Sequence, residues 1–117
     1  MECFKHLEEL IRRIEKVEWN EWIYTNVNAF GRDPLHNDYY IIPEEECWDL
    51  EEAGQTMKNH RDEAIPASIA DREVQSWLEI ATVQDVIEVL RRRGEEPDIL
   101  LIAKALRYYH EQDAFME

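Results

Sequence analysis

A chain of 117 residues with 27 acidic against 13 basic side chains, for a formal net charge of −14, has the length of one domain and repels nucleic acid and anionic membrane alike. Folding at this length buries roughly two-thirds of the chain's surface, so a core needs neither disulfide nor metal, and Cys3 and Cys47 alone make no disulfide framework. Residues 1–16 are too charged for a signal peptide and no apolar run reaches transmembrane length, which makes a reduced, cytoplasmic setting the expectation. Such acidity serves solubility, or it matches a basic partner whose association is steered roughly 10- to 1000-fold faster, in the manner of a nucleic-acid mimic.

In chain order, residues 2–17 read as an amphipathic packing helix. Phe4, Leu7, Ile11 and Ile14 form the stripe, Leu10 and Val17 widen it, and Glu8–Arg12 and Glu9–Arg13 stand at supportive spacing. Trp19, Trp22, Ile23 and Tyr24 then form an aromatic patch, either a helix end or a short strand. The two tryptophans suit core packing first and a partner anchor second. Asn26, Asn28, Gly31, Asp33, Pro34 and Asn37 predict a surface loop.

Tyr39, Tyr40, Ile41 and Ile42 read as a strand stopped by Pro43. Glu44, Glu45, Glu46, Asp49, Glu51 and Glu52 follow, with Trp48 and Leu50 interleaved and no basic residue between Pro43 and Met57. A charge run of this kind is usually a solvated loop. A tryptophan among carboxylates also suits contact with a cationic surface, because ion pairing and a large anchor act together. Short strands are expected at 54–57 and, from Val74, Trp77, Leu78 and Ile80, just before Thr82, with mostly loop over 58–71.

The C-terminal block reads most clearly. Thr82 is placed as an N-cap with Asp85 three residues on, and Val83, Val86, Ile87 and Leu90 make one helical stripe. Arg91, Arg92 and Arg93 crowd the last turn, where the helix dipole favours cations, Gly94 supplies a left-handed stop and Pro97 blocks continuation. Asp98 can cap a second helix that is apolar almost all round (Ile99, Leu100, Leu101, Ile102, Ala103, Ala105, Leu106, Tyr108 and Tyr109), so neighbours are expected on more than one side of it. The fold expected is a mainly helical α+β single domain: an N-terminal helix, a small antiparallel sheet and a C-terminal helical hairpin.

Residues able to carry chemistry are scattered. His6, His36, His60 and His110 lie in four segments, and His36 with Asp38 or His60 with Asp62 are the nearest approaches to ligand pairs, without the helical His spacing or paired CxxC that makes zinc specific. Acids around Cys47 disfavour its thiolate, and three glycines build no phosphate cradle. The arginine triplet could bind an anion or RNA, although its place at a helix C-terminus accounts for it by dipole complementarity. No enzyme, cofactor or metal is expected. A metal-dependent hydrolase built on His36, His60 and nearby carboxylates is the enzyme alternative.

IATVQDVIEVL, a Gly/Pro break, and then ALRYYHEQDAF resemble the C-terminal signature of a small bacterial family, several of whose members act as immunity proteins of contact-dependent growth inhibition systems. Thr82, Val83, Gln84, Asp85, Val86 and Ile87 match a TVQDIV-like helix; Ala105, Leu106, Tyr108, Tyr109, Asp113, Ala114 and Phe115 match its AL-YYY-NDAF end. YYIIPEEECWDLE resembles the family's hydrophobic–Pro–acidic–Trp segment. His110 stands where a third aromatic is common, Gln112 departs from the usual Asn, and the segment 26–37 has no counterpart. The likeness covers about the last two-thirds of the chain and is specific over 82–115.

The resemblance implies a cytoplasmic, non-catalytic inhibitor that blocks the active or nucleic-acid-binding site of a cognate toxin's C-terminal domain, commonly a nuclease. It also implies structural roles for Asp85 at a helix start, Tyr108 and Tyr109 in packing, and Phe115 closing the core. It transfers no contact residues. The acidic segment, Glu44, Glu45, Glu46, Trp48, Asp49, Glu51 and Glu52, is the expected partner-binding surface, on a monomer or weak dimer that touches neither nucleic acid nor membrane. A regulatory or adaptor domain for another basic protein is the alternative.

Overall fold

A computed structural model describes residues 1–94 and 96–116. The chain is α+β, as expected. In order it forms β1 (Glu2–His6), α1 (Leu7–Ile14), β2 (Trp22–Thr25), α2 (Val27–Arg32), β3 (His36–Ile41), α3 (Glu44–Glu52), β4 (Thr56–Lys58), β5 (Ala64–Pro66), a 3-10 turn (Ala67–Arg72), β6 (Gln75–Glu79), α4 (Ile80–Arg91) and α5 (Ile99–Gln112). Strands β1-β3-β2-β6 make an antiparallel four-stranded sheet, and β4 and β5 a separate hairpin.

Alternation along the central strands distributes their side chains between two cores, because successive residues of a strand point to opposite faces. Ile23, Tyr39, Ile41 and Trp77 join Leu7, Leu10, Ile14, Val83, Val86, Ile87, Ile102 and Leu106 under the helices. Tyr40 and Ile42 turn the other way, onto Ile65, Ile69 and Val74 from the hairpin side, with Tyr24 and Cys47 packed at the margin. Among the described residues nineteen buried side chains make the first core and five the second, so the helical side holds the fold.

The N-terminus departs from expectation: residues 2–6 are a strand. Cys3 pairs with Tyr40 and Phe4 with Tyr39, and the helix starts only at Leu7. Phe4 happens to continue the helical spacing of Leu7, Ile11 and Ile14, so one stripe ran across two elements. Glu8 and Arg12 pair at 2.5 Å as their spacing suggests, while Arg13 turns to Glu2 at 2.7 Å.

The segment 26–37 is also not all loop. Asn26, a turn residue by type, accepts from the Ala29 amide at 3.0 Å and caps α2, whose Phe30 packs tilted against Trp77 with ring centres 4.8 Å apart. The loop expected over 58–71 contains β5 and the 3-10 turn.

In the C-terminal block α4 starts at Ile80, two residues before Thr82, and Thr82 does not cap it. The cap arrives from far away, since the Asn20 side chain accepts from the Ala81 amide at 3.0 Å and the Glu21 carbonyl accepts from Ile80 at 2.9 Å. Gly94 has φ +118°, a conformation that L side chains rarely adopt, and Asp98 accepts from the Leu101 amide at 2.8 Å as expected. Helix α5 is buried on one side only. Ile102, Ala103, Ala105 and Leu106 are inside, whereas Leu100 is 64% exposed and Leu101 and Tyr108 are exposed as well. Phe115 does not close the core: it is exposed and rests on Tyr109 at 5.4 Å between ring centres, and Met116 packs inward instead.

Candidate functional site: a cleft between α3 and the start of β2

Pro43 and the three glutamates after it build a helix where the charge run suggested a loop. Pro43 precedes the first turn, and Glu44, Glu45 and Glu46 meet the positive end of the helix dipole. Nothing on α3 is fully buried. It lies on the smaller core by Cys47 and leaves Trp48 57% exposed.

Helical spacing puts Glu44, Cys47, Trp48 and Glu51 on one face, at i, i+3, i+4 and i+7. That face borders a cleft of about 310 Å³ whose opposite wall is Glu21, Trp22 and Tyr24, with Ile42 and Ala64 completing the lining. Trp22 is 45% exposed, so core packing, the first expectation for the tryptophans at 19 and 22, is wrong for both; Trp19 is exposed too, with the Arg13 guanidinium 5.5 Å from its ring centre. Chain geometry explains this. Residues 15–21 connect α1 to β2, and Trp22 pairs with Glu79 at the strand's first position, where the sheet begins and a second cleft, shared with Thr82, Tyr109 and His110, keeps it open to solvent.

Electrostatically the cleft is negative with neutral hydroxyl and thiol groups inside it. Burial, with help from Glu63, pushes the Tyr24 hydroxyl up to about 12, so it stays protonated. The Cys47 thiol is also raised, first by burial and then by Glu51, Glu46 and Glu44, and it donates to the Ala64 carbonyl at 3.3 Å. A cleft lined by half-exposed tryptophans and by carboxylates on both walls suits a cation that carries apolar surface.

Of the expected partner-binding residues, the fold brings Glu44, Trp48 and Glu51 to this cleft. Glu46 faces elsewhere and pairs with the Met1 α-amino group. Glu45, Asp49 and Glu52 are exposed on α3 and do not line the cleft. The opposite wall, Glu21, Trp22 and Tyr24, was missed as a set because only the sheet brings it beside α3.

The other sequence candidates separate. His36 bonds Asp33 at 3.1 Å rather than Asp38, and His60 bonds Gln75 at 2.7 Å rather than Asp62. Among the described residues no group of three His, Cys, Asp or Glu is placed to hold a metal, and no helix is long and apolar enough to cross a membrane. Each arginine of the triplet has an intramolecular acceptor: Arg91 meets Glu15 and Glu96, Arg92 meets Glu88, and Arg93 meets the Met116 carbonyl.

A family model for a domain of unknown function, DUF7716, matches residues 4–117, and the chain belongs to that family. No curated protein and no solved structure matches it.

Proposed function

We propose that the chain is a non-catalytic binding protein for a basic partner. The partner proposed is the C-terminal domain of a toxin, a nuclease in the first place, whose active or nucleic-acid-binding site this chain covers inside the cytoplasm. The observation that carries the binding reading is the cleft itself: two half-exposed tryptophans beside Glu21, Glu44 and Glu51, on a chain of net charge −14. Carboxylates so placed can stand where nucleic-acid phosphates would lie on a basic surface, and tryptophan is over-represented among interface hot spots. The toxin part of the proposal draws on the likeness of the α4 and α5 sequences to immunity proteins. Those helices supply the scaffold, and α3 with β2 supplies the contact.

A protective complex has to be tight; a nanomolar dissociation constant corresponds to about −12 kcal/mol. The test is co-expression with the C-terminal domain of a large secreted protein encoded immediately upstream. Restored growth supports neutralisation, and continued arrest in the presence of folded protein sinks it. A basic protein bound at the cleft with no effect on growth gives a regulatory or adaptor domain instead.

A further inference from the structure

The three aromatic rings of the cleft differ from Trp19 in one respect. Trp19 already carries a cation, Arg13, at 5.5 Å from its ring centre; among the described residues Trp22, Trp48 and Tyr24 carry none. The fold thus shows one indole occupied by its own guanidinium and two indoles, set around one cavity, left open to solvent.

The cavity's chemistry also chooses between the two side-chain cations. A lysine ammonium is a compact charge that holds its water strongly, and a half-open cleft does little to compensate for removing it. A guanidinium is planar and weakly hydrated, stacks on an indole face, and still has in-plane donors for carboxylates at its edge. Here Glu21 stands beside Trp22 on one wall, and Glu44 and Glu51 flank Trp48 on the other, so stacking and edge-on hydrogen bonding are available together. Tyr24 and Cys47 add polar groups at the inner end without adding charge.

We infer that the α3–β2 cleft is a receptor for an arginine side chain, held between Trp22 and Trp48 with its guanidinium edge on Glu21, Glu44 or Glu51. The inference rests on the basic-partner reading and narrows it to one residue type of that partner. A basic surface rich in lysine alone is then a poor ligand for this chain.

The experiment titrates the full chain, uniformly labelled with ¹⁵N, with hexa-arginine and with hexalysine peptides at low salt, following the indole N–H signals of all four tryptophans. Hexa-arginine is expected to move the Trp22 and Trp48 signals and to bind at least about tenfold more tightly than hexalysine. The preference should vanish in the Trp22→Ala/Trp48→Ala double variant, whose fold is checked by an unchanged Trp77 signal. Equal binding of the two peptides overturns the arginine receptor and leaves the basic-partner reading standing. Binding of neither peptide overturns both. Binding that moves Trp19 but not Trp22 and Trp48 places the cation elsewhere and overturns the receptor alone.

Discussion

The Gln84 side-chain amide donates to the main-chain carbonyl of Ile14 at 2.6 Å, and to that of Val17 at 2.9 Å. One residue of the TVQD stretch thereby bonds the last carbonyl of α1, where a helix leaves acceptors without intrahelical partners, and a carbonyl of the segment just after it. Replacing Gln84 by Leu takes this donor from the Val17 carbonyl and leaves the Ile14 carbonyl only the Val17 amide at 3.3 Å, in a half-buried seam, at a cost of about 1–3 kcal/mol. Thermal unfolding is expected to shift down by roughly 4 °C per kcal/mol lost. A Gln84→Leu variant melting with the parent would show the bonds to be idle.

Glu63 ties the β4–β5 hairpin to β6. It accepts from the Ser76 hydroxyl at 2.5 Å, the Ser76 amide at 3.1 Å and the Asn59 side chain at 3.0 Å. Burial by itself would raise this carboxyl, but the Ser76 and Asn59 hydrogen bonds outweigh it and hold it below its ordinary 4.5. A carboxylate depressed in the folded state adds stability that is fully present above the unfolded value and is lost as pH falls through the folded one. Glu63→Gln should therefore destabilise the protein at pH 7 and flatten the loss of stability below about pH 4.5, as read from denaturant midpoints at a series of pH values. A parallel pH dependence in parent and variant would show that Glu63 does not contribute.

Cys47 and Cys3 offer a contrast in reactivity. Cys3 is exposed, while Cys47 is half-buried with its thiol raised by burial and by Glu51, Glu46 and Glu44. The thiolate is the reacting form, so iodoacetamide at pH 7.5 should modify Cys3 well before Cys47. Mass spectrometry of tryptic fragments over time reads the order, and faster labelling of Cys47 would contradict the half-buried, acidic setting described for it.

Charge on α3 is not uniform in consequence. Glu51 borders the cleft, whereas Glu45 does not, and Glu46 is engaged by the Met1 amino group. Once the basic partner is in hand, Glu51→Lys is expected to slow association about tenfold and to flatten its salt dependence, with Glu45→Lys acting more weakly. Equal effects from the two would make the interaction one of general charge, independent of the cleft.

What could be read in the residues follows from how local each signal is. Asp98, Gly94 and the stripe from Val83 to Leu90 delimit the C-terminal hairpin within a few residues of chain, and Tyr39 to Ile41 mark a strand that is apolar on both faces. Where two signals overlap, the more regular one misleads. Phe4 belongs to a strand yet keeps helical step with Leu7, and the acidic run hid a helix whose first turn is suited to those same glutamates. Long-range devices left no local trace: Asn20 capping α4 from 61 residues away, and Gln84 reaching back 70 residues to Ile14. For the same reason half of the cleft was visible in α3's sequence, and the Glu21–Tyr24 wall required the sheet.

Among the described residues the smaller core has five buried side chains and carries a helix with none, while nineteen secure the opposite face of the sheet. Opening free energies within one protein range from near zero up to the global value, and elements with few buried apolar contacts open first. Amide protons of α3 and the β4–β5 hairpin should thus exchange with solvent through a local excursion that leaves α4 and α5 protected. A partner seated against Trp22 and Trp48 would clamp that loose half to the rigid one. Slowed exchange in 44–66 would then give a footprint of binding that depends on no knowledge of what the partner does.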